Sequence, residues 1–556
     1  MTTHKNLLVS LSLIGCLGAL TLLLNFGVLS GNWRWDDPAI LLHLHKYSII
    51  DDFLNPAVWQ QFSPANLTPW LLLSFEIDLI IFGMRPGLFY LHQLVALTAA
   101  AGALYFCLNL WISRKFAFYG AVLFLVGTPS LLVAQQLMTR HYVEGIVFCL
   151  LSLSCFVLFL RHNRPVLLIT SAVFYIAAIT AKEVYVPLVV LLPLLPESSP
   201  GRRLKAVLPL VIIAIAYTLW RGYMLGSLSG GYVESREYFS AAFVLDVGAS
   251  FSRFPELMFG SYWFVFLFFY ALLLGSYSVV CRSRLYISAI VALLTLIPLA
   301  PLVRFPGILS ADRYLFLFWL ILSFSMAFYA DRIVKNFRQQ GRPGPVRLVY
   351  SCAAVFLLIS LLSSHTKRQP VAVRGAEFDV QAEFIWQNGD QLAFVPSENI
   401  LPSFWFVTDL IEFKSRLLVD GASPAPIVDE IYLDQALPRL LEFAPDCNCM
   451  RDVAEPVPLR LASYQARLRN DAPLNLSFEY RDGYFSWQFG PYEVGAYHVV
   501  SNVLGVLPVP ISGRRRVTLK DDAPFYLRYT SPEGWISYSS QQRIHHNGPV
   551  INWQRD

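Results

Sequence analysis

Long apolar runs, separated by short polar segments, dominate the first two thirds of the chain. A helix of about 20 apolar residues is long enough to cross the hydrocarbon core of a bilayer. The first run follows Lys5, is too long for a signal-peptide core and lacks a clear cleavage site, so we interpret it as an uncleaved span. The pattern predicts about eleven transmembrane helices, at 7–29, 87–111, 116–134, 143–160, 165–181, 184–196, 206–225, 259–280, 285–303, 314–330 and 347–364.

The loops between these spans alternate in charge. Every second loop is rich in arginine and lysine, which mark the cytoplasmic side of a membrane. These basic residues are Arg114, Lys115, Arg161, Arg164, Arg202, Arg203, Lys205, Arg282, Arg284, Arg332, Lys335, Arg338, Arg342 and Arg347. The pattern predicts a multi-pass protein of the cell (inner) membrane with a cytoplasmic N-terminus. After an odd number of spans, the C-terminal part would be extracytoplasmic or periplasmic.

The first outer loop, residues 30–86, is long and partly apolar. Residues 69–83 are apolar but include Glu76 and Asp78. Carboxylates are costly inside the bilayer, so this mixture predicts a helix that lies in the membrane interface.

From residue 365 onward the composition becomes polar, and apolar and polar residues begin to alternate. Alternation of this kind predicts strands, and Asp482-Gly483 between two of them indicates a hairpin. The expected strands are 478–480, 484–489, 516–519 and 525–529, and the expected helices are 404–418 and 434–442. We therefore expect two domains: a polytopic all-α membrane domain at 1–364 and a β-rich, sandwich-like extracytoplasmic domain at 365–556.

Composition supports a membrane protein. Of the 556 residues, 55% are hydrophobic and 15% are charged, whereas about a quarter of a soluble domain is charged. The run Arg514-Arg515-Arg516 is short and isolated, so we expect no nucleic-acid partner. Cys447 and Cys449 form either a tight disulfide or two free thiols.

Two adjacent carboxylates, Asp36 and Asp37, follow the first span by a few residues. Neighbouring side chains diverge, so one would face a reacting group while the other binds a metal or orients its neighbour. The alternative is that the pair simply begins a helix at Pro38. The sequence does not decide between these interpretations.

Three further polar segments fall on the same predicted side of the membrane. Arg140, His141 and Glu144 follow the third span, and Arg140 either binds a phosphate or lies at the membrane interface. Lys182 and Glu183 separate two apolar runs and are either functional or a mutual ion pair.

Asp312-Arg313 opens a later span. Asp312 suits the first turn of a helix, whereas Arg313 does not, and we expect an anionic partner for it. Because all these features share one face, their convergence favours a catalytic interpretation.

The order of these motifs resembles GT-C-fold glycosyltransferases, most closely the TMTC-type protein O-mannosyltransferase-like branch and its bacterial relatives. The similar segments, in order, are Arg34 to Ile40, Leu71 to Gly83, Pro86 to Leu94, Thr128 to Glu144, Ala181 to Glu183 and Ala311 to Leu315. The chain departs from that branch in two ways. It lacks tetratricopeptide repeats, and Gln135-Gln136-Leu137-Met138 replaces a His-Pro-rich stretch.

The resemblance implies transfer of a sugar from a polyprenyl-phosphate-linked donor to an acceptor hydroxyl of a protein, lipid or glycan outside the cytoplasm. Asp36 or Asp37 would be the catalytic base. Arg140, Lys182 and Arg313 would bind the donor phosphate, supported by His141, Glu144, Glu183 and Asp312. A divalent cation, Mg²⁺ or Mn²⁺, held by Asp37 is a further option that the resemblance leaves open.

Two other classes of function compete with an enzyme. A transporter or flippase would carry polar residues near the bilayer midplane, often in two related halves, whereas the predicted spans are apolar and no halves repeat. A non-catalytic envelope assembly protein would act through its outer domain. There, Trp487, Tyr492 and Trp535 either bind a glycan or form a core, and the core interpretation is favoured.

Overall fold

The computed structural model describes most of the chain. The described residues are 2–63, 65–228, 253–280, 311–387, 393–394, 405–418, 429–433, 440–444, 446–452, 457–481, 484–501, 505–516, 524–547 and 550–555.

The chain forms two compact units, and each unit contains segments that are not consecutive in the sequence. The first unit contains 1–31, 66–230 and 234–373, and the second contains 32–65, 231–233 and 374–556. The segment after the first helix, with Asp36 and Asp37, therefore belongs to the second unit.

Most helices of the first unit are long and apolar. In chain order, its helices are α1 (Thr2–Asn25), then α5 (Pro69–Phe82), α6 (Pro86–Asn109), α7 (Arg114–Val126), α8 (Thr128–Ala134), α9 (Arg140–His162), α10 (Pro165–Ala181), α11 (Leu188–Leu191), α12 (Pro200–Leu225), α13 (Phe254–Phe259), α14 (Trp263–Val280), α15 (Ala311–Tyr314), α16 (Phe316–Gln339) and α17 (Pro343–Gln387). Helix α17 contains the boundary between the two units at residues 373 and 374.

Seven helices within the described residues are long and apolar enough to cross a membrane, or eight if the bent pair α7–α8 is one span. The chain is therefore a multi-pass membrane protein. The seven are Val9–Ser30, Pro86–Asn109, Leu137–His162, Pro200–Leu225, Phe254–Tyr277, Phe316–Gln339 and Pro343–Gln387. The expected spans at 165–181 and 184–196 are shorter apolar helices, and the expected span at 285–303 lies outside the described residues.

Helices α7 and α8 meet at a bend of 60°. Gly127 has an extended backbone, and α8 begins after it at Thr128 with Pro129 in its first turn, a position that proline favours. The bend frees the carbonyl of Phe124, which accepts hydrogen bonds from Trp319 Nε1 at 2.9 Å and Ser130 Oγ at 2.5 Å. Buried carbonyls need such partners, so Trp319 stabilises the bend.

Substituting Gly127 with alanine is expected to destabilise this bend. A Cβ atom at position 127 would lie 2.2 Å from the indole of Trp319, and overpacking of this kind costs about 1–3 kcal/mol. The matched control is Gly102→Ala within α6, where a Cβ meets nothing within 4 Å. Thermal unfolding in detergent measures both variants. Equal thermal midpoints for the two variants would contradict the role of Gly127 in the contact between the bend and Trp319.

The second unit begins with short helices and ends with strands. Its helices are α2 (Asp37–Lys46), α3 (Ile49–Leu54), α4 (Pro56–Phe62), α18 (Trp405–Leu418) and α19 (Val457–Arg467). Its strands are β1 (Ala393–Phe394), β2 (Leu440–Ala444), β3 (Cys449–Asp452), β4 (Asn475–Arg481), β5 (Tyr484–Gly490), β6 (Ala496–Ser501), β7 (Gly505–Val509), β8 (Ser512–Arg516), β9 (Tyr526–Thr530), β10 (Ile536–Tyr538), β11 (Gln542–Asn547) and β12 (Val550–Arg555). The C-terminal region is β-rich, as predicted.

Two antiparallel sheets contain most of these strands. Their strand orders are β10-β9-β6-β7 and β4-β5-β8. Strands β4 and β5 pair from Asn475 with Gly490 to Arg481 with Tyr484, which confirms the predicted hairpin, although Asp482-Gly483 itself lies outside the described residues. One core cluster contains Phe489 of β5 together with Tyr497 of β6 and Tyr529 of β9, so both sheets contribute to it.

Three smaller expectations in this region have clear outcomes. Helix α18 confirms the expected helix at 404–418. The helix expected at 434–442 is wrong at its end, because Leu440 begins strand β2, which pairs with β3 from Leu441 onward. Cys447 and Cys449 form a disulfide in the turn that joins β2 and β3. The three aromatic residues Trp487, Tyr492 and Trp535 pack against the shared core.

Candidate functional site

The acidic pair lies at the start of α2 in the second unit. Asp36 occupies the N-cap position without a capping hydrogen bond from its side chain, and it is half-buried. Asp37 is fully buried, and its Oδ2 accepts a hydrogen bond from the backbone nitrogen of Arg34 at 2.9 Å. The two carboxylates thus diverge in environment, as expected from their adjacency.

A bidentate ion pair holds the segment that precedes the acidic pair. Arg34 Nε and Nη2 donate to the two carboxylate oxygens of Asp379 at 2.7 and 2.5 Å. The backbone nitrogen of Asn32 donates to the same carboxylate at 2.8 Å. Bidentate pairs of this kind fix geometry as well as adding energy. We call Arg34 and Asp379 the clamp.

Two further residues on α17 shape this region of the second unit. A Cβ at Gly375 would lie 2.9–3.3 Å from the guanidinium of Arg34, so glycine gives that group room. Phe378 packs against Trp35 with ring centroids 4.8 Å apart. Trp35 has a φ of 53°, which is unusual for a bulky residue and costs on the order of 1–3 kcal/mol. The clamp and this ring contact together support a strained turn directly before Asp36.

A second polar group lies in the first unit, between α5, α6 and α9. Arg140 is fully buried and donates to Asp78 Oδ2 at 2.5 Å and to the carbonyl of Phe89 at 2.9 Å. Its guanidinium also lies 4.7 Å from the ring centroid of Phe75. These contacts engage the guanidinium of Arg140, so the residue holds α5 against α6 and α9. Its predicted role as a phosphate ligand has no geometric support.

Glu144 is held by the same helices. It accepts hydrogen bonds from Trp70 Nε1 and Ser74 Oγ, both at 2.8 Å. His92 connects it to the Arg140 pair, with Nδ1 2.7 Å from Asp78 Oδ1 and Nε2 3.5 Å from Glu144 Oε1. The helix expected at 69–83 is thus anchored to α6 and α9 through the one face that carries Ser74 and Asp78.

Helices α9 and α10 form a tight hairpin that positions Lys182. Ser152 and Ser171 donate to each other's backbone carbonyls at 2.9 and 2.8 Å, which allows close approach of the two helices. Helix α10 ends at Ala181, and Lys182 follows in the turn. The C-terminal end of α10 therefore lies beside the N-terminal end of α9.

Lys182 is buried there, with 7% of its surface exposed. Its ammonium lies 5.0 Å from the centroid of the Tyr142 ring and makes no hydrogen bond to any residue that the structure describes. Burial lowers the pKa of Lys182 to about 8; the carboxylate of Glu183 opposes this shift, and the charge of Arg313 adds to it. A buried ammonium without a hydrogen-bonded anion is costly, so Lys182 is a candidate for binding an anionic ligand.

Arg313 approaches the same region from α15. It donates to Gln136 Oε1 at 3.4 Å and to the hydroxyl of Tyr314 at 3.2 Å, and it lies 3.7 Å from the sulfur of Met138. Gln136 and Met138 belong to the stretch 135–138, one of the two departures from the family pattern noted in the sequence. We call Lys182 and Arg313 the cation pair.

His141 lies close enough to both charges of the cation pair to interact with them electrostatically. Asp312 lies in α15, but its side chain is outside the described residues.

Glu183 does not pair with its neighbour Lys182, so the mutual ion pair considered above is wrong. Its Oε1 instead accepts from Arg221 Nε at 2.8 Å and from the backbone nitrogen of Leu67 at 2.9 Å. Glu183 ties α12 and the backbone just before α5 to the turn, and it makes no direct contact that neutralises the ammonium of Lys182.

Several residues of these clusters were not singled out from the sequence as site residues. They are Arg34, Asp78, His92, Gln136 and Asp379. A carboxylate within an apolar run was a usable signal for Asp78. Asp379 gave no such signal, because it lies in a polar stretch more than 340 positions from its partner.

The predicted metal has little support from the donor set. Within the described residues, no group of three His, Cys, Asp or Glu side chains is arranged to hold a metal ion. The metal at Asp37 stays a prediction, and no step below depends on it.

Comparison with known proteins adds no assignment. No protein-family model matches the chain, and no curated protein matches it.

Proposed function

We propose that this protein is a GT-C-like membrane glycosyltransferase that moves a sugar from a polyprenyl-phosphate donor to an acceptor hydroxyl. The observation that carries the proposal is the cation pair. A buried lysine ammonium that has no hydrogen-bonded partner in the described part of the chain, next to an arginine at the ends of apolar helices, suits the phosphate of a lipid-linked donor.

In the reaction, the acceptor oxygen attacks the anomeric carbon of the sugar, and the bond from that carbon to the phosphate oxygen breaks. The departing polyprenyl phosphate gains negative charge, which Lys182 and Arg313 stabilise. Arg140 is left out of this step because its guanidinium is fully buried against Asp78 and Phe89.

The acceptor proton passes to a carboxylate of the acidic pair. Asp36 suits this role, since it is partly exposed while Asp37 is fully buried. Asp37 orients the turn through its hydrogen bond from the Arg34 backbone. A positioned general base contributes about 10²–10⁴-fold to a rate.

The membrane setting of the proposal follows the charge pattern of the loops. In this proposal the protein crosses the cell (inner) membrane about eleven times, and its N-terminus is cytoplasmic. The acidic pair, the cation pair and the C-terminal domain lie on the periplasmic side. The acceptor is an extracytoplasmic protein, lipid or glycan, and the donor tail lies between helices.

The test combines a deletion strain with the purified protein. Mass analysis of envelope lipids, polysaccharides and proteins from the strain should reveal a product short of one sugar, and the wild-type gene should restore it. The Asp36→Ala/Asp37→Ala double variant should not restore it. In liposomes, the wild type should release polyprenyl phosphate from one of a panel of polyprenyl-phosphate sugars.

Normal glycan levels with the double variant would refute the proposal. Movement of the lipid-linked sugar across the liposome membrane without release of polyprenyl phosphate would indicate a flippase. Restoration by the C-terminal domain without the membrane part would indicate an assembly protein.

A further inference from the structure

A cavity of about 350 Å³ lies in the first unit, between α1, the α7–α8 bend and α17. Its wall is mostly apolar, formed by Leu24, Leu125, Val126, Leu131, Leu361 and Leu362. Leu361 and Leu362 are themselves exposed on the surface of the unit. In a multi-pass membrane protein such a surface faces lipid, so the cavity is reachable from the bilayer.

One edge of the cavity is polar and carries positive charge. Arg368 and His365 lie on successive turns of α17 and line the cavity, as does Ser364. Neither Arg368 nor His365 makes a hydrogen bond or ion pair with any residue in the described part of the chain. An arginine and an imidazole that can donate a hydrogen bond, at the mouth of an apolar cavity, complement an anionic headgroup attached to a hydrocarbon chain.

A buried acceptor gives the second, independent observation. Asn25 lines the cavity and is 5% exposed. Its Nδ2 donates to the carbonyl of Thr21 at 3.0 Å, but its Oδ1 has no hydrogen-bond partner among the residues that the structure describes. A buried acceptor left unsatisfied costs about 1–3 kcal/mol, so a donor supplied by a ligand would stabilise this arrangement.

We propose that this cavity binds a glycerophospholipid whose headgroup carries a hydrogen-bond donor. The phosphodiester contacts Arg368 and His365, the headgroup hydroxyl or ammonium donates to Asn25 Oδ1, and an acyl chain lies along the leucine wall. Phosphatidylglycerol and phosphatidylethanolamine meet this description. Phosphatidylcholine does not, because its quaternary ammonium has no N–H. The proposal is independent of the sugar transfer proposed above.

Native mass spectrometry of the full-length protein, released from nanodiscs of defined lipid, tests the site. With phosphatidylglycerol or phosphatidylethanolamine, we expect one retained lipid per chain, at least tenfold more abundant than with phosphatidylcholine. Arg368→Gln and Asn25→Leu should each reduce the retained lipid about tenfold. The matched control is Arg342→Gln, which removes an exposed arginine immediately before the start of α17.

Several outcomes would overturn the proposal. Equal retention of all three lipids, or equal loss in the Arg342→Gln control, would indicate surface lipid only. No retained lipid in the wild type would indicate that water fills the cavity. Displacement of the phospholipid by polyprenyl phosphate at lower concentration would assign the cavity to the donor. Inorganic phosphate displacing the lipid would show that the hydrocarbon chain contributes nothing. A thermal midpoint for each variant separates loss of binding from loss of fold.

Discussion

Lys182→Gln is expected to lower the turnover of a polyprenyl-phosphate sugar by about 10²–10³-fold, the usual effect of removing one donor that stabilises developing negative charge. The ammonium is buried and lacks a hydrogen-bonded partner among the described residues. Its removal also relieves a desolvated charge, so the thermal midpoint should stay the same or rise. Loss of activity without loss of stability is the signature of a functional charge.

The pH dependence of donor binding gives a second readout for the same residue. Burial lowers the pKa of Lys182 to about 8. Below that pH the ammonium is protonated and attracts the anionic donor, and above it the charge is lost. The KM for the donor should therefore rise about tenfold between about pH 7 and pH 9.5. Lys182→Arg should remove this rise, because a guanidinium stays protonated.

Lys205→Gln is the matched control for Lys182→Gln, since Lys205 is exposed near the start of α12. Turnover and midpoint should match the wild type in this variant. Unchanged turnover in Lys182→Gln, or an equal loss in Lys205→Gln, would remove the cation pair from the mechanism.

The membrane helices were largely predictable from the sequence because their signal is local. A run of about 20 apolar residues is itself the signal for a span. The break at Thr128-Pro129 is equally local, since proline is disfavoured inside a helix and favoured in its first turn. The paired strands β4 and β5 followed from alternation and a turn dipeptide.

The partners of the charged residues were not predictable in this way. Arg140 and Lys182 look alike in the sequence, each a cation at the end of an apolar run. In the structure Arg140 forms an ion pair with Asp78, whereas Lys182 forms no ion pair with a described residue. Which cation is neutralised depends on helix packing, and that depends on side chains distant in sequence. The same reason explains why Glu183 pairs with Arg221 rather than with its neighbour.

The largest effect expected in the second unit comes from breaking the clamp. Arg34→Gln and Asp379→Asn each remove the bidentate pair beside the acidic motif. Asp379 is 27% exposed, so the coupling energy is expected to be modest, about 1–3 kcal/mol in a double-mutant cycle. The turn before Asp36 is strained at Trp35 and would relax without the clamp.

A small displacement of a catalytic base costs up to about 10²-fold in rate. The clamp variants should therefore lose kcat by about tenfold to a hundredfold while the KM for the donor stays unchanged. Their midpoints should fall by only a few degrees. A purely structural role for the clamp would lower the midpoint and the amount of folded protein without changing kcat per folded molecule.

Gly375→Ala tests the clamp without removing either charge. The added methyl group would lie 2.9–3.3 Å from the guanidinium of Arg34 and should displace it, giving part of the kcat loss of Arg34→Gln. Gly344→Ala, near the start of the same helix, adds a methyl group that meets nothing within 4 Å and should leave kcat unchanged. If Gly375→Ala keeps full kcat, or if the clamp variants raise KM instead, the clamp does not position the acidic pair. In that case the turn before Asp36 is held by the packing of Trp35 on Phe378 and by the hydrogen bond from Arg34 N to Asp37 Oδ2, without the clamp.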